Sequence, residues 1–233
     1  MLFRSYHARE FFDLLESIDR GRARLENPLA LMKWNMDKTY LRDLEERGVS
    51  IVPTHWGHGD PTGLYPEFSR ELGPGELVIK PRISASASDT YRISHGEALD
   101  GVADRFDGRD WMVQPFMDAV GEEGEFSLFY FGGELSHTVL KRPLAGDFRV
   151  QEEHGGSTVL VSDPEAGLRS RADAVMAALP QSPLYARVDM VRNHPSGSDF
   201  CLMEVELIEP TLFFCMDDQA PERFARAFSR MMA

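Results

Sequence analysis

Cysteine is nearly absent: Cys201 and Cys215 are the only two in 233 residues. Two thiols in a chain this long are not the disulfide framework of a small secreted domain. Long apolar runs are absent as well. Runs such as FSLFYF (126–131) and TLFFCM (211–216) are far short of the roughly 20 residues that a membrane-spanning helix needs. The opening MLFRSYHARE has no apolar stretch of the kind that marks a secretory signal. The expectation is a cytoplasmic protein with no membrane partner.

Positive charge is scarce too. Lys and Arg number 25 against 38 Asp and Glu, a formal net charge of -13. A chain so acidic lacks the basic surface that a polyphosphate requires, which argues against a nucleic-acid partner. A nucleotide is not excluded, because a few local cations and carboxylate-held metal ions suffice for one. The sequence also contains no GxxxxGK(S/T) loop, no GxSxG elbow, no zinc-type cysteine pairing, no repeat and no low-complexity tract.

What remains is an ordinary globular composition, 42% apolar and 27% charged, enough for one large domain or two small lobes. Apolar periodicity predicts helices over 8–22, 37–47, 66–72, 96–106, 164–179 and 221–232. Strands are predicted at VSIVP (49–53), ELVIKP (76–81) and WMVQPF (111–116). EFSLFYF and ELSHTVLK, joined by Gly132-Gly133, read as a hairpin. Segments 184–192 and 199–208, around the turn HPSGSD, read as another. SASASDT (84–90) and 142–158 read as loops. The fold class is α+β with mostly antiparallel hairpins.

Charge is concentrated where it is costly. LYARVDMVRNHPSGSDFCLMEVELIEPTLFF (184–214) sets Arg187, Asp189, Glu204, Glu206 and Glu209 among apolar strand residues. In a strand, residues two apart share a face, so Arg187 goes with Asp189 and Glu204 with Glu206. Paired as a hairpin, the strands would carry three carboxylates and an arginine on one face, a donor set suited to Mg²⁺ with phosphate oxygens. A solvated strand face is the plain alternative. Elsewhere, His55 and His58 in HWGH have metal-like spacing but no third ligand nearby, so an aromatic loop with solvated histidines is expected. His137 reads as a half-buried structural histidine. Lys141 and Arg142, after a hairpin, read as solvated unless they meet phosphate, and His154 lines a substrate site if its loop closes.

Order along the chain adds a further argument. WNMDK (34–38), VPT (52–54), VIKP (78–81), a Ser/Ala loop, VQPF (113–116), GEFS (124–127), a glycine-containing loop, ARVD (186–189) and MEVELIEP (203–210) follow one another. Over about residues 27–215 this series resembles the ATP-grasp superfamily, particularly its glutathione-synthetase-like and cycloserine-synthetase-like carboxylate–amine ligases. The resemblance implies two α+β lobes with antiparallel sheets clamping a nucleotide. It divides the chain into 1–30, a remnant of a preceding domain, 31–113, the first lobe, and 114–233, the C-terminal lobe with the metal site.

It also implies roles for particular residues. Lys38 and Lys80 meet the ATP phosphates, and the backbone around Gln114 and Phe116 meets the adenine. Glu125 accepts from the ribose hydroxyls. Asp189, Glu204 and Glu206 hold Mg²⁺; many relatives carry Asn where Glu206 stands. Arg187 stabilises the transferring phosphoryl group, and Arg149 reaches the γ-phosphate or a substrate carboxylate. The implied activity is ATP- and Mg²⁺-dependent joining of a small-molecule carboxylate to an amine through an acyl phosphate. The alternative is an ATP-binding module with little turnover alone, because the acceptor-binding N-terminal domain is largely missing. A homodimer is one assembly such a chain could form.

Overall fold

The computed structural model describes residues 8–84, 88–94, 102–144, 149–150 and 155–233. Its helices are α1 (Ala8–Asp19), α2 (Leu29–Met36), α3 (Tyr40–Glu46), α4 (Tyr65–Leu72), α5 (Asp118–Glu122), α6 (Ala166–Ala178) and α7 (Ala220–Met232). Its strands are β1 (His55–His58), β2 (Leu77–Pro81), β3 (Tyr91–Ile93), β4 (Asp110–Pro115), β5 (Glu125–Phe131), β6 (Glu134–Arg142), β7 (Ser157–Leu160), β8 (Tyr185–Arg192) and β9 (Phe200–Glu206). Among the described residues, no helix is long and apolar enough to cross a membrane. The chain divides into two compact units, one formed chiefly by Asp37–Thr39 and Val52–Phe116, the other by Leu15–Met36, Tyr40–Ile51 and Met117–Ala233.

The first unit holds an antiparallel sheet in the order β1-β4-β2-β3. Alternation in LVIKP buries Leu77, Ile79 and Pro81 and leaves Val78 and Lys80 half-buried on the other face. Leu77 and Ile79 pack with Trp111, Val113, Ile93, Phe106 and Phe68 of α4. HWGH, expected as a loop, is strand β1. The Trp111 ring lies across it so closely that a Cβ on Gly57 would sit 2.0 Å from the indole, and the indole N–H donates to the Gly59 carbonyl at 2.7 Å. His58 is exposed, as expected, and meets Asp110 at 2.9 Å, whereas His55 is half-buried and pairs with Glu71 at 2.6 Å.

The second unit holds a sheet in the order β7-β6-β5-β8-β9, antiparallel throughout. Gly132 and Gly133, at φ +58 and +83, close the β5–β6 hairpin in two residues. On one face, at the turn end, Phe129, Phe131 and Val139 pack with Leu184 and with Ala220 and Ala227 of α7. His137 stacks on Phe129 at 4.3 Å and donates from Nε2 to the Leu212 carbonyl at 3.0 Å, while burial lowers its pKa. It is a structural histidine. Helix α6, with Leu168, Ala172 and Val175 buried, contacts β8 and β9.

Several elements depart from the sequence expectation. VSIVP is not a strand: it makes a single parallel bridge, Ile51 to Leu202, and Pro53 has no N–H to extend a ladder. Helix α2 and strand β7 are unanticipated. The helix expected at 96–106 falls largely outside the described residues, and its end is a 3₁₀ turn at Ala103–Arg105. Helices α2 and α3, which the sequence division puts in the first lobe, pack in the second unit instead, where Asn35 and Tyr40 bond to β9.

Candidate active site

Two bulges decide which side chains share a face of the five-stranded sheet. Counted from its glycine turn, an unbroken β5–β6 ladder would put Leu140 opposite Glu125. The irregularity between Phe129 and Tyr130 advances the register by one, so Glu125 faces Lys141. Counted from the Arg192–Phe200 pair, an unbroken β8–β9 ladder would put Met203 opposite Asp189. A bulge there skips Met203, so Asp189 faces Glu204 and Arg187 faces Glu206. Without it Glu204 would stand opposite Val188, which faces the core. Ser127 faces Asp189 across β5 and β8. One sheet face therefore carries Lys141, Glu125, Ser127, Asp189, Arg187, Glu204 and Glu206.

Lys141, Glu125, Ser127, Asp189, Arg187 and Glu206 form a connected, largely buried network. Asp189 accepts from Ser127 Oγ at 2.5 Å, from Arg187 Nε at 3.0 Å and Nη2 at 2.8 Å, and from Lys141 Nζ at 3.4 Å. Arg187 Nη2 also donates to Glu206 at 2.6 Å, and Lys141 pairs with Glu125. Burial alone would raise the Asp189 pKa, but the Arg187 and Lys141 cations outweigh it and hold the carboxyl at about 2. Burial opposes charge on Lys141 and Arg187 too, yet the surrounding carboxylates win and raise both pKa values. Glu125 moves the other way: burial is the largest influence and raises its pKa.

The first unit arranges its expected site residues separately. Lys38 is buried; its backbone N–H donates to the Arg82 carbonyl and its Nζ to the Ser84 carbonyl, both at 3.1 Å. Asp37, beside it, is bonded to Arg82 through Nε at 3.0 Å and Nη2 at 2.5 Å. The DK of WNMDK is thus tied to the chain just beyond Lys80. Lys80 pairs with Met112 and Val78 with Gln114, so Lys80 and Gln114 share a sheet face. The Gln114 amide donates to Thr54 Oγ1 at 3.0 Å. The Phe116 N–H donates to the Glu76 carbonyl at 2.7 Å, and the Arg92 guanidinium lies 3.8 Å over its ring. Arg149 is half-buried; much of its loop, with His154 and residues 85–87 of SASASDT, lies outside the described residues.

No protein-family model matches the sequence. The chain is 28% identical over 236 residues to the cycloserine biosynthesis protein DcsG of Streptomyces lavendulae, across 96% of this chain and 78% of that protein. The crystal structure of D-cycloserine synthetase DcsG matches with a TM-score of 0.84 and 26% identity, over 100% of this chain and 82% of that one. The chain has the ATP-grasp fold. More distant ATP-grasp likenesses extend to the fold alone. D-alanine–D-alanine ligase from Bacillus anthracis complexed with ATP matches with a TM-score of 0.66 at 19% identity, over 95% of this chain and 72% of that one. The ATP-grasp ligase PsnB, complexed with a phosphomimetic variant of minimal precursor, Mg and ADP, matches with a TM-score of 0.63 at 10% identity, over 97% and 67%.

The donor set limits how an ATP-grasp metal could be held. Among the described residues, no three or more His, Cys, Asp or Glu side chains gather as a metal-binding group. Asp189, Glu204 and Glu206 therefore do not form a ready-made ion cage, and both Asp189 oxygens already accept from cations. Mg²⁺ asks for less than a cage: one or two carboxylates, with phosphate oxygens completing the shell. The half-buried Glu204 and Glu206, side by side on an ATP-grasp sheet, fit that requirement. Lys141 is the residue sequence reasoning misplaced, as a solvated cation. The signal for it was a lysine closing the apolar strand ELSHTVLK, but only the bulge sets it against Glu125.

Proposed function

We propose that this chain is an ATP-dependent ligase that joins a carboxylate to an amine. The observation that carries the reading is the buried charge network on one face of the five-stranded sheet, in a chain homologous to a cycloserine synthetase. ATP is the co-substrate. Lys38 and Lys80 meet its phosphates, the VQPF edge at Gln114 and Phe116 its adenine, and Glu125 its ribose hydroxyls. Mg²⁺, held by Glu204 and Glu206 with Asp189 beside them, supplies neutralisation of phosphate charge.

A substrate carboxylate oxygen attacks the γ-phosphorus, the bond to the bridging oxygen breaks, and ADP leaves with that electron pair. The product is an acyl phosphate. The amine nitrogen then attacks its carbonyl carbon, phosphate departs, and the nitrogen loses a proton to give the amide. Arg187, whose charge the surrounding carboxylates keep in place, stabilises the negative charge on the phosphoryl oxygens through both steps. Arg149 orients the γ-phosphate or the substrate carboxylate. Lys141 helps keep Asp189 ionised and holds Glu125 in place, so that neither must be reorganised during the reaction.

Calorimetric titration of the full chain with ATP, with and without Mg²⁺, tests the reading. Mg²⁺ should strengthen ATP binding, and Glu204→Gln should remove that gain while leaving the fold intact. Glu206→Asn, which keeps an oxygen donor, should retain part or all of it. Full Mg²⁺-dependent affinity in Glu204→Gln would overturn the metal assignment.

A further inference from the structure

Strand β9, which carries Glu204 and Glu206, is an edge strand of its sheet. Its inner edge pairs with β8. Apart from the single bridge from Ile51 to Leu202, its outer edge has no strand partner among the described residues, and at Val205 and Leu207 its backbone groups are matched by side chains. The Val205 N–H donates to the Tyr40 hydroxyl at 2.9 Å. The Asn35 amide then accepts from the Leu207 N–H at 3.0 Å and donates to the Val205 carbonyl at 2.8 Å. The Leu207 carbonyl accepts from Asn27 Nδ2 at 3.0 Å. Asn27, Asn35 and Tyr40 are all buried.

The geometry imitates a missing strand. Asn35 presents one donor and one acceptor, as a peptide unit would, and bridges the two backbone groups that flank Glu206. Tyr40 takes the N–H of the peptide that joins Glu204 to Val205. Because residues alternate, Val205 and Leu207 point their backbone groups outward while Glu204 and Glu206 point their side chains onto the charged face. Fixing the outer edge therefore fixes the direction of both carboxylates, just past a bulge that would otherwise let the strand slip.

Resting on the ligase reading above, we infer that Asn35 and Tyr40 are positioning residues for the metal-binding carboxylates. They touch neither metal nor nucleotide; they hold β9 in the register that aims Glu204 and Glu206. Residues behind metal ligands commonly change metal affinity about 10- to 100-fold when removed.

The test uses the full chain carrying Asn35→Ala or Tyr40→Phe. One measurement is the Mg²⁺ concentration for half-maximal ATP binding; the other is amide hydrogen exchange at Val205 and Leu207. Asn35→Ala should raise the Mg²⁺ requirement about 10-fold, leave ATP affinity without Mg²⁺ unchanged, and speed exchange at Leu207. Tyr40→Phe should speed exchange at Val205 and raise the Mg²⁺ requirement in the same direction, and it decides the matter if Asn35→Ala does not fold. Phe200→Leu, on the same strand before the bulge, should lower stability without moving the Mg²⁺ requirement. Faster exchange with an unchanged Mg²⁺ requirement would overturn the inference while the ligase reading stands. Absence of Mg²⁺-dependent ATP binding in the unaltered chain would remove the ligase reading and this inference together.

Discussion

In the four-stranded sheet the ion pairs lie at the rim: Arg92 and Glu76 are both 38% exposed, and Arg82 and Asp37 are 25% and 28% exposed. On the charged face of the five-stranded sheet they lie inside, with Lys141 at 8%, Asp189 at 3% and Arg187 at 11%. Exposed pairs gain little beyond what water offers each partner. Buried charges have lost their water and depend on one another, and apolar residues of similar volume would often be as stable. On the ligase reading, the contrast assigns the inner charges of the five-stranded sheet to chemistry, whereas those at the rim of the four-stranded sheet hold segments in place.

The largest effect should come from breaking the inner network. Asp189→Ala leaves Arg187 and Lys141 beside an empty site, and the folded state should lose about 3–5 kcal/mol, read from denaturant midpoints. A loss below about 1 kcal/mol would place Asp189 with the rim pairs. Acid sharpens the same point. The Asp189 carboxyl sits at about 2 in the folded chain, below its ordinary 3.8. The unfolded chain therefore takes up the proton first, so this group's contribution is present above about pH 4 and lost as the pH falls toward 2. Asp189→Asn should show a smaller stability change across that interval.

The smallest effect belongs to the rim. Arg92→Ala removes the Glu76 pair and the stack on Phe116, and stability should change by about 1 kcal/mol or less. A loss as large as that of Asp189→Ala would erase the distinction between the two sheets.

The same contrast explains what could be read from the sequence. In the four-stranded sheet β2 follows plain alternation, so LVIKP alone separates buried Leu77 and Ile79 from Lys80. Arg187 and Asp189, two apart, were likewise legible as sharing a face, and Gly132-Gly133 announced its turn. The alignment of strand with strand was not. Bulges answer to packing across neighbouring strands rather than to local propensity. The pairings of Lys141 with Glu125 and of Glu204 with Asp189 thus appear only in the folded sheet. Asn35 was legible as part of WNMDK, but its work on a strand 170 residues away was not. HWGH read as a loop because its pairing depends on Trp111 lying over Gly57, a contact between distant segments.

The most direct measurement is ADP release by the full chain with ATP and Mg²⁺, across a panel of amino acids and with hydroxylamine as a trap for activated carboxylates. The account predicts ADP formation that requires a carboxylate substrate, hydroxamate in matching amount, and loss of both in Arg187→Ala. Tight Mg²⁺-dependent ATP binding without any carboxylate-dependent ADP or hydroxamate would contradict it, leaving a nucleotide-binding module in place of a ligase.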